Sequence, residues 1–247
     1  MSIRWTTAFL DSTEEHFEKR VAFWCDITRS KLSERRGQAG EFVTLVPPNG
    51  DAYLRVQRTR EESGGLHLDL HTDDVDGLVQ RATGLGATVI ADHGYQVLES
   101  PGGFVFCVVR WHGETIRTSP TGSPPALIDQ LSIDIPFDLY DPECLFWASL
   151  TQWALSTSRR EEFSFLARPT GIPLRFLLQQ LGPSDTRTRV TAHIDIACGS
   201  QIGDLAEQHR EFGATVCAHH QLWSTLQDPA GFSYCLTSRD PHTGTLR

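Results

Sequence analysis

The sequence predicts an α+β protein of four βαβββ modules arranged as two tandem domains, and three observations carry that prediction. First, the second half of the chain rereads the first: LHLDLHTDD at 66–74 returns as AHIDIACGS at 192–200, GATV at 86–89 as GATV at 213–216, and SPGGFVFCVV at 100–109 as DPAGFSYCLT at 228–237. The offsets of 126 (66 to 192), 127 (86 to 213) and 128 (100 to 228) hold through three separated segments. Upstream, FWCDIT at 23–28 answers FWASLT at 146–151 at an offset of 123, and EFVTLVPPNG at 41–50 resembles EFSFLARPTG at 162–171. Second, each quarter reads as strand, helix, then several strands. Third, a Gly, Ser, Thr and Pro-rich stretch at His112–Pro125 supplies a linker between the halves. The expected boundaries are 1–115 for the first domain, 116–125 for the linker and 126–247 for the second.

The first module opens with TTAFLD as a strand and continues into HFEKRVAFWCDITRSKL, where Phe17, Val21 and Trp24 recur at helical spacing. FVTLVPP and AYLRVQR follow as strands. The second module begins with the strand LHLDLHT. Its helix, VDGLVQRATGLG, is opened by Asp73 or Asp74 and stopped by Gly86, and ATVIAD, YQVLES and GFVFCVV are strands. The third module repeats the plan in QLSIDIPF, the helix CLFWASLTQWAL, FSFLAR and PLRFLLQQ; the fourth runs from Ala192 to Thr237. Phe23, Trp24, Phe146 and Trp147 read as anchors of helix to sheet.

The 247 residues carry 22 Lys+Arg against 31 Asp+Glu, a formal charge of −9, which gives no general attraction to nucleic acid or anionic lipid. No apolar run approaches the ~20 residues that span a bilayer, and the start lacks the apolar core of a secretion signal. The six cysteines form no C-x-x-C pair and sit largely in apolar stretches, as buried reduced thiols do. The expectation is a cytoplasmic protein with neither a nucleic-acid nor a membrane partner.

A strand opening on His, a helix running into L-G-A-T-V and a closing hairpin D-P-x-G-x-x-x-C, set in four βαβββ modules, resemble the vicinal oxygen chelate superfamily in its glyoxalase and bleomycin-resistance-like branch. The resemblance covers essentially the whole chain. It implies a U-shaped mixed sheet per domain whose concave face makes a pocket. In metal-dependent members the first strands of paired modules supply His, Gln or Glu to that pocket, and the last strands supply Glu.

Carried over position by position, the first strands offer Thr6 or Thr7, His67, Gln130 and His193. The last strands offer Gln57, Cys107, Gln179 or Gln180, and Cys235, so the expected glutamates are replaced by thiols and amides. One His, one Cys and neutral oxygens per domain fall short of the roughly three anionic or imidazole donors a divalent metal wants. No cofactor is therefore expected.

Strand alternation places His67 beside Asp69 and His193 beside Asp195, on a face opposite Leu68 and Leu70 or Ile194 and Ile196. An Asp beside an imidazole can orient it and raise its basicity, making these four residues the candidate catalytic groups. Gln57, Tyr95, Cys107, Gln130, Trp223 and Cys235 are the candidate ligand-binding residues. Tyr95 and Trp223 match across the repeat in the hairpin before the closing strand, where a flat ligand can stack. His93 and His220 also match, at strand ends expected to be solvated.

The expected function is binding of a small organic molecule in a concave sheet cleft without metal. The alternative is a metal-dependent lyase, isomerase or dioxygenase using His67, His193 or both. Because the duplication pairs modules within one chain, a monomer or weak homodimer is expected.

Overall fold

A computed structural model describes residues 2–59 and 64–246. The first module comprises β1 (Ile3–Ser12), α1 (Phe17–Thr28), β2 (Lys31–Leu32), β3 (Phe42–Val46) and β4 (Leu54–Arg58), and the second β5 (Gly65–Thr72), α2 (Val75–Gly84), β6 (Thr88–Asp92), β7 (Gln96–Glu99) and β8 (Val105–Arg110). The third has β9 (Leu127–Ile135), α3 (Tyr140–Thr151), β10 (Ala154–Thr157), β11 (Phe163–Ala167) and β12 (Arg175–Gln180), and the fourth β13 (Thr191–Ala197), α4 (Ile202–Glu211), β14 (Thr215–His219), β15 (Trp223–Gln227) and β16 (Ser233–Thr237). Two eight-stranded mixed sheets result, ordered β2-β3-β4-β1-β5-β8-β7-β6 and β10-β11-β12-β9-β13-β16-β15-β14. The second order is the first with each label advanced by one module pair, as the repeat requires.

Two helices end sooner than their apolar spacing suggests. The segment through Leu32 was expected to stay helical, yet α1 stops at Thr28 and Lys31–Leu32 is a strand paired with Leu45–Val46. Likewise α3 stops at Thr151, and Ala154–Thr157 pairs with Ser164–Ala167. At both ends the chain reverses through a left-handed residue, Arg29 (φ 55°) and Gln152 (φ 60°), at the same repeat position (29 + 123 = 152). A side chain there costs about 1–2 kcal/mol over glycine, so sheet-edge pairing after the turn must outweigh it. In α2, Asp74 is the residue that caps, its side chain accepting from Gly77 N at 3.0 Å.

Packing groups the chain into two compact units, one of Met1–Ala8, Leu66–Thr115 and Leu131–Ala192, the other of Phe9–Gly65, Ile116–Gln130 and His193–Arg247. The first joins second and third modules. Its core is an edge-to-face cluster in which Trp147 on α3 meets Phe106 at 5.3 Å, Phe146 at 5.2 Å and Phe176 at 6.0 Å. The second joins first and fourth modules, and Trp24 on α1 meets Tyr234 at 5.3 Å while Phe23 meets Tyr234 and His209 at 5.9 and 6.1 Å. Each such aromatic pair adds about 0.5–1.5 kcal/mol beyond the area it buries. Among the described residues, no helix is long and apolar enough to cross a membrane.

Candidate functional site

The site begins with the pleat of β5 and β13. Leu68, Leu70, Ile194 and Ile196 turn into the core, which forces His67, Asp69, His193 and Asp195 onto the other face. The neighbouring parallel strand then fixes the third member of each row. Asp69 stands opposite Cys107 in the β5–β8 ladder, and Asp195 opposite Cys235 in β13–β16. Residues directly opposite share a face, so each sheet carries a His, an Asp and a Cys side by side. In both groups one donor atom from each residue lies within 4.8 Å of the others.

The distances within the rows differ. His67 Nε2 is 3.8 Å from Asp69 Oδ1, whereas His193 Nε2 is 3.3 Å from Asp195 Oδ1 and 3.6 Å from Cys235 Sγ. In the second row acid and thiol face the same ring nitrogen. That is a convergent donor set rather than a chain passing a proton from thiol through imidazole to carboxylate. It also corrects the expectation that only neutral oxygens accompany each His and Cys: the carboxylate comes from the residue two along the same strand, not from the closing strand.

Asp195 is deeply buried and held from several sides. The Gln130 side-chain amide donates to Oδ2, Arg239 Nη1 stands 3.8 Å from the same oxygen, and Arg239 in turn pairs with buried Asp129. Burial pushes the Asp195 carboxyl up, but the approach of His193 and Arg239 and the Gln130 amide outweigh it and hold the group below the usual carboxylate range. At Cys107 burial wins, and the thiol is pushed up despite the opposing influence of His67. The first row runs on to His71, whose Nε2 is 2.9 Å from Thr7 Oγ1.

The remaining candidates are less tightly gathered. Thr225 faces Cys235 across β15–β16, with Oγ1 3.7 Å from Sγ, and Trp223 two residues earlier shares that face opposite Thr237. His220 stacks on Trp223 at 4.4 Å with the rings 19° apart. At the matching hairpin the half-buried Tyr95 lies just ahead of β7, 5.7 Å from the exposed His93. Gln57 is half-buried on β4, opposite Phe42. Gln179 accepts from Ser132 Oγ at 3.4 Å and Gln180 donates to the Phe137 carbonyl at 3.5 Å, so both join their own module's framework.

Sequence reasoning missed Arg239 and Asp129. Arg239 follows the closing strand in TSRDP, where a charged residue ordinarily reads as surface, and Asp129 sits one residue before Gln130. Both are buried because they neutralise each other.

A family model described as "Glyoxalase-like domain" matches residues 7–109 and again 133–237. Among curated proteins none matches the chain in sequence. Solved structures share the fold. A mutant of 4-hydroxymandelate synthase from Streptomyces coelicolor has TM-score 0.62 at 13% identity, covering 99% of this chain and 94% of that one. The Mn(II)-bound glyoxalase from Novosphingobium aromaticivorans has TM-score 0.60 at 15% identity, covering 100% and 86%. 2,2',3-Trihydroxybiphenyl 1,2-dioxygenase from Sphingomonas wittichii has TM-score 0.60 at 12% identity, covering 96% and 89%. With both halves matched and every module in place, the chain belongs to the glyoxalase-like domain family, in the vicinal oxygen chelate fold, as a tandem of two such domains.

Proposed function

We propose that this chain binds a small organic molecule against the polar face of its second sheet. The observation that carries the reading is the shared face of Trp223, Thr225, Cys235, His193 and Asp195, which sets a half-buried aromatic ring beside a compact group of polar side chains. Sites for small molecules are built that way, with flat apolar surface for affinity and few polar groups for orientation. Trp223 stacks the ligand, His193 and Asp195 orient or deprotonate it, and Gln130 holds Asp195. Tyr95, His67, Asp69 and Cys107 form the equivalent surface in the first sheet. The test is calorimetric titration with a panel of phenols, aromatic acids and dicarbonyl compounds. A bound member whose affinity falls about tenfold or more in Trp223→Ala supports the proposal, and no binding across the panel overturns it.

A second reading, a metal-dependent enzyme of dioxygenase, isomerase or lyase type using His67 and His193, is favoured by the carboxylate in each row and by the chemistry named for the structural relatives. Turnover lost in His193→Gln or His67→Gln would select it. We also propose a cytoplasmic monomer or weak homodimer; six free cysteines accord with a reducing compartment.

A further inference from the structure

We propose that a cavity between α1 and α4 binds a small apolar amino acid, its carboxylate taken by Arg29 and His209 and its ammonium by Asp26. The cavity measures about 120 Å3 and lies wholly within the unit of first and fourth modules. Ile27, Ala126, Leu205 and Phe212 wall it, and Asp26, Arg29 and His209 are its ionisable groups. His209 is bonded to Tyr234, which alternates with Cys235 along β16. The cavity therefore lies on the opposite face of the sheet from the row of His193, Asp195 and Cys235.

The other unit treats the same junction differently. There Arg81 on α2 donates to the Leu150 carbonyl near the end of α3 at 3.3 Å, joining helix directly to helix. Its repeat partner Gln208 (81 + 127 = 208) donates instead to the Ser123 carbonyl at 3.4 Å. The turn holding Ser123, closed by a bridge between Thr121 and Ala126, forms one side of the cavity. The apolar wall is common to both copies: Leu150, Leu78 and Leu85 answer Ile27, Leu205 and Phe212 (27 + 123; 205 − 127; 212 − 127). The ionisable groups are not, since Ser149, Gln152 and Ala82 answer Asp26, Arg29 and His209 (26 + 123; 29 + 123; 209 − 127). Apolar walls kept in both copies, with charged and imidazole groups added only where the space opens, are the makings of a ligand site.

His209 supplies the inner hydrogen bond. Tyr234 is fully buried, and its hydroxyl lies 2.9 Å from His209 Nδ1. A phenol is the better donor and a neutral imidazole the better acceptor, so the hydroxyl donates to Nδ1 and the ring proton sits on Nε2. Among the described residues Nε2 has no hydrogen-bond partner, which leaves its N–H for the cavity; burial keeps the ring uncharged. Arg29 stands at the mouth. A Cβ on Gly122 would meet its Nε at 3.1 Å, so the missing side chain leaves room for the guanidinium beside the turn. The imidazole N–H and the guanidinium suit the two oxygens of a carboxylate, and Asp26 suits an ammonium. One acid and one cation leave the lining without net charge, which selects a zwitterion over a plain anion or amine. A cavity of about 150 Å3 takes benzene, so 120 Å3 holds the branched side chain of valine or leucine.

Calorimetric titration of the full chain with L-valine and L-leucine tests this, beside 3-methylbutanoate and isobutylamine, which each lack one charge of valine. One amino acid should bind at a single site, and the acid and the amine should each bind about tenfold or more weakly. Arg29→Gly keeps a residue suited to the left-handed turn, and Asp26→Asn keeps the side chain's shape; each should weaken amino-acid binding about tenfold or more. His209→Phe, which keeps a ring without the N–H, should do the same, and the two exposed positions decide should it fail to fold. Trp223→Ala, on the other face of the sheet, should leave the affinity unchanged, so this site and the proposed cleft are tested separately. No binding of either amino acid at millimolar concentration, equal binding of the acid or the amine, unchanged affinity in Arg29→Gly or Asp26→Asn, or a loss in Trp223→Ala overturns the proposal.

Discussion

In the unit of first and fourth modules, α1 docks on the last hairpin through charge; in the unit of second and third modules, α3 docks on the equivalent hairpin through a carboxyl with no cation. Arg20 Nε and Trp24 Nε1 donate to Asp228 Oδ2 at 2.9 and 3.0 Å, while Asp228 Oδ1 receives the backbone amides of Ala230 and Phe232. At the corresponding positions (20 + 123 = 143; 228 − 128 = 100), Glu143 accepts from Ser100 Oγ and from Gly102 N at 2.8 Å, and Ser100 Oγ takes the Phe104 amide. The geometry survived duplication while the charges did not. A helix–hairpin junction thus keeps its place more strictly than its charge or its hydrogen-bond direction, which reverses from Arg20 donating off the helix to Glu143 accepting on it.

The largest effect should come from breaking the ion pair. Arg20→Met leaves Asp228 charged and buried, and should cost about 3–5 kcal/mol in urea denaturation. The double variant Arg20→Glu with Asp228→Ser copies the other junction and should recover more than half of that loss. Failure to recover would mean that the two junctions are not interchangeable.

Next in size is an acid dependence confined to one unit. Burial pushes His209 down to about 4 from its ordinary 6.5, and its ring nitrogen Nδ1 sits 2.9 Å from Tyr234 OH, where the second module has Ala82. Between those pH values the unfolded chain binds the proton that the folded chain refuses, so stability falls as pH drops from 6.5 to 4, by about 3 kcal/mol. Denaturation across that range should show the slope in the wild type and not in His209→Gln.

Glu143 gives the opposite sign. Burial holds its carboxyl above the usual range, so the folded state keeps a proton that the unfolded state releases. Its contribution is present below pH 4.5 and declines as pH rises through the folded value. Glu143→Gln should remove that decline and melt a few degrees higher than wild type at pH 8, an effect of about 1 kcal/mol. The smallest effect belongs to Arg189→Ala, which deletes the exposed pair with Glu99 beside the same hairpin and should change stability by about 0–1 kcal/mol.

Much of this was legible from residues alone. The period-2 pattern of LHLDLHT and AHIDIA put each His and Asp on one face, and the register of the closing repeat put a Cys there too. The helix ends were less legible, because Arg29 and Gln152 adopt a conformation that their side chains do not favour, and the reason lies in the strands they lead into. The acid in each row was visible as Asp69 and Asp195, but its nearness to the thiol needed the parallel pairing of β5 with β8 and β13 with β16.

By itself, then, the sequence determined the module plan, the fold class and the face on which the polar rows stand, since these follow from local periodicity and from self-similarity along the chain. Only the tertiary structure decided that α1 keys into a hairpin 208 residues away and that Gln130 and Arg239 close around Asp195. Local patterns record which side of an element is apolar. Which distant group neutralises a buried charge depends on how the elements come together in space.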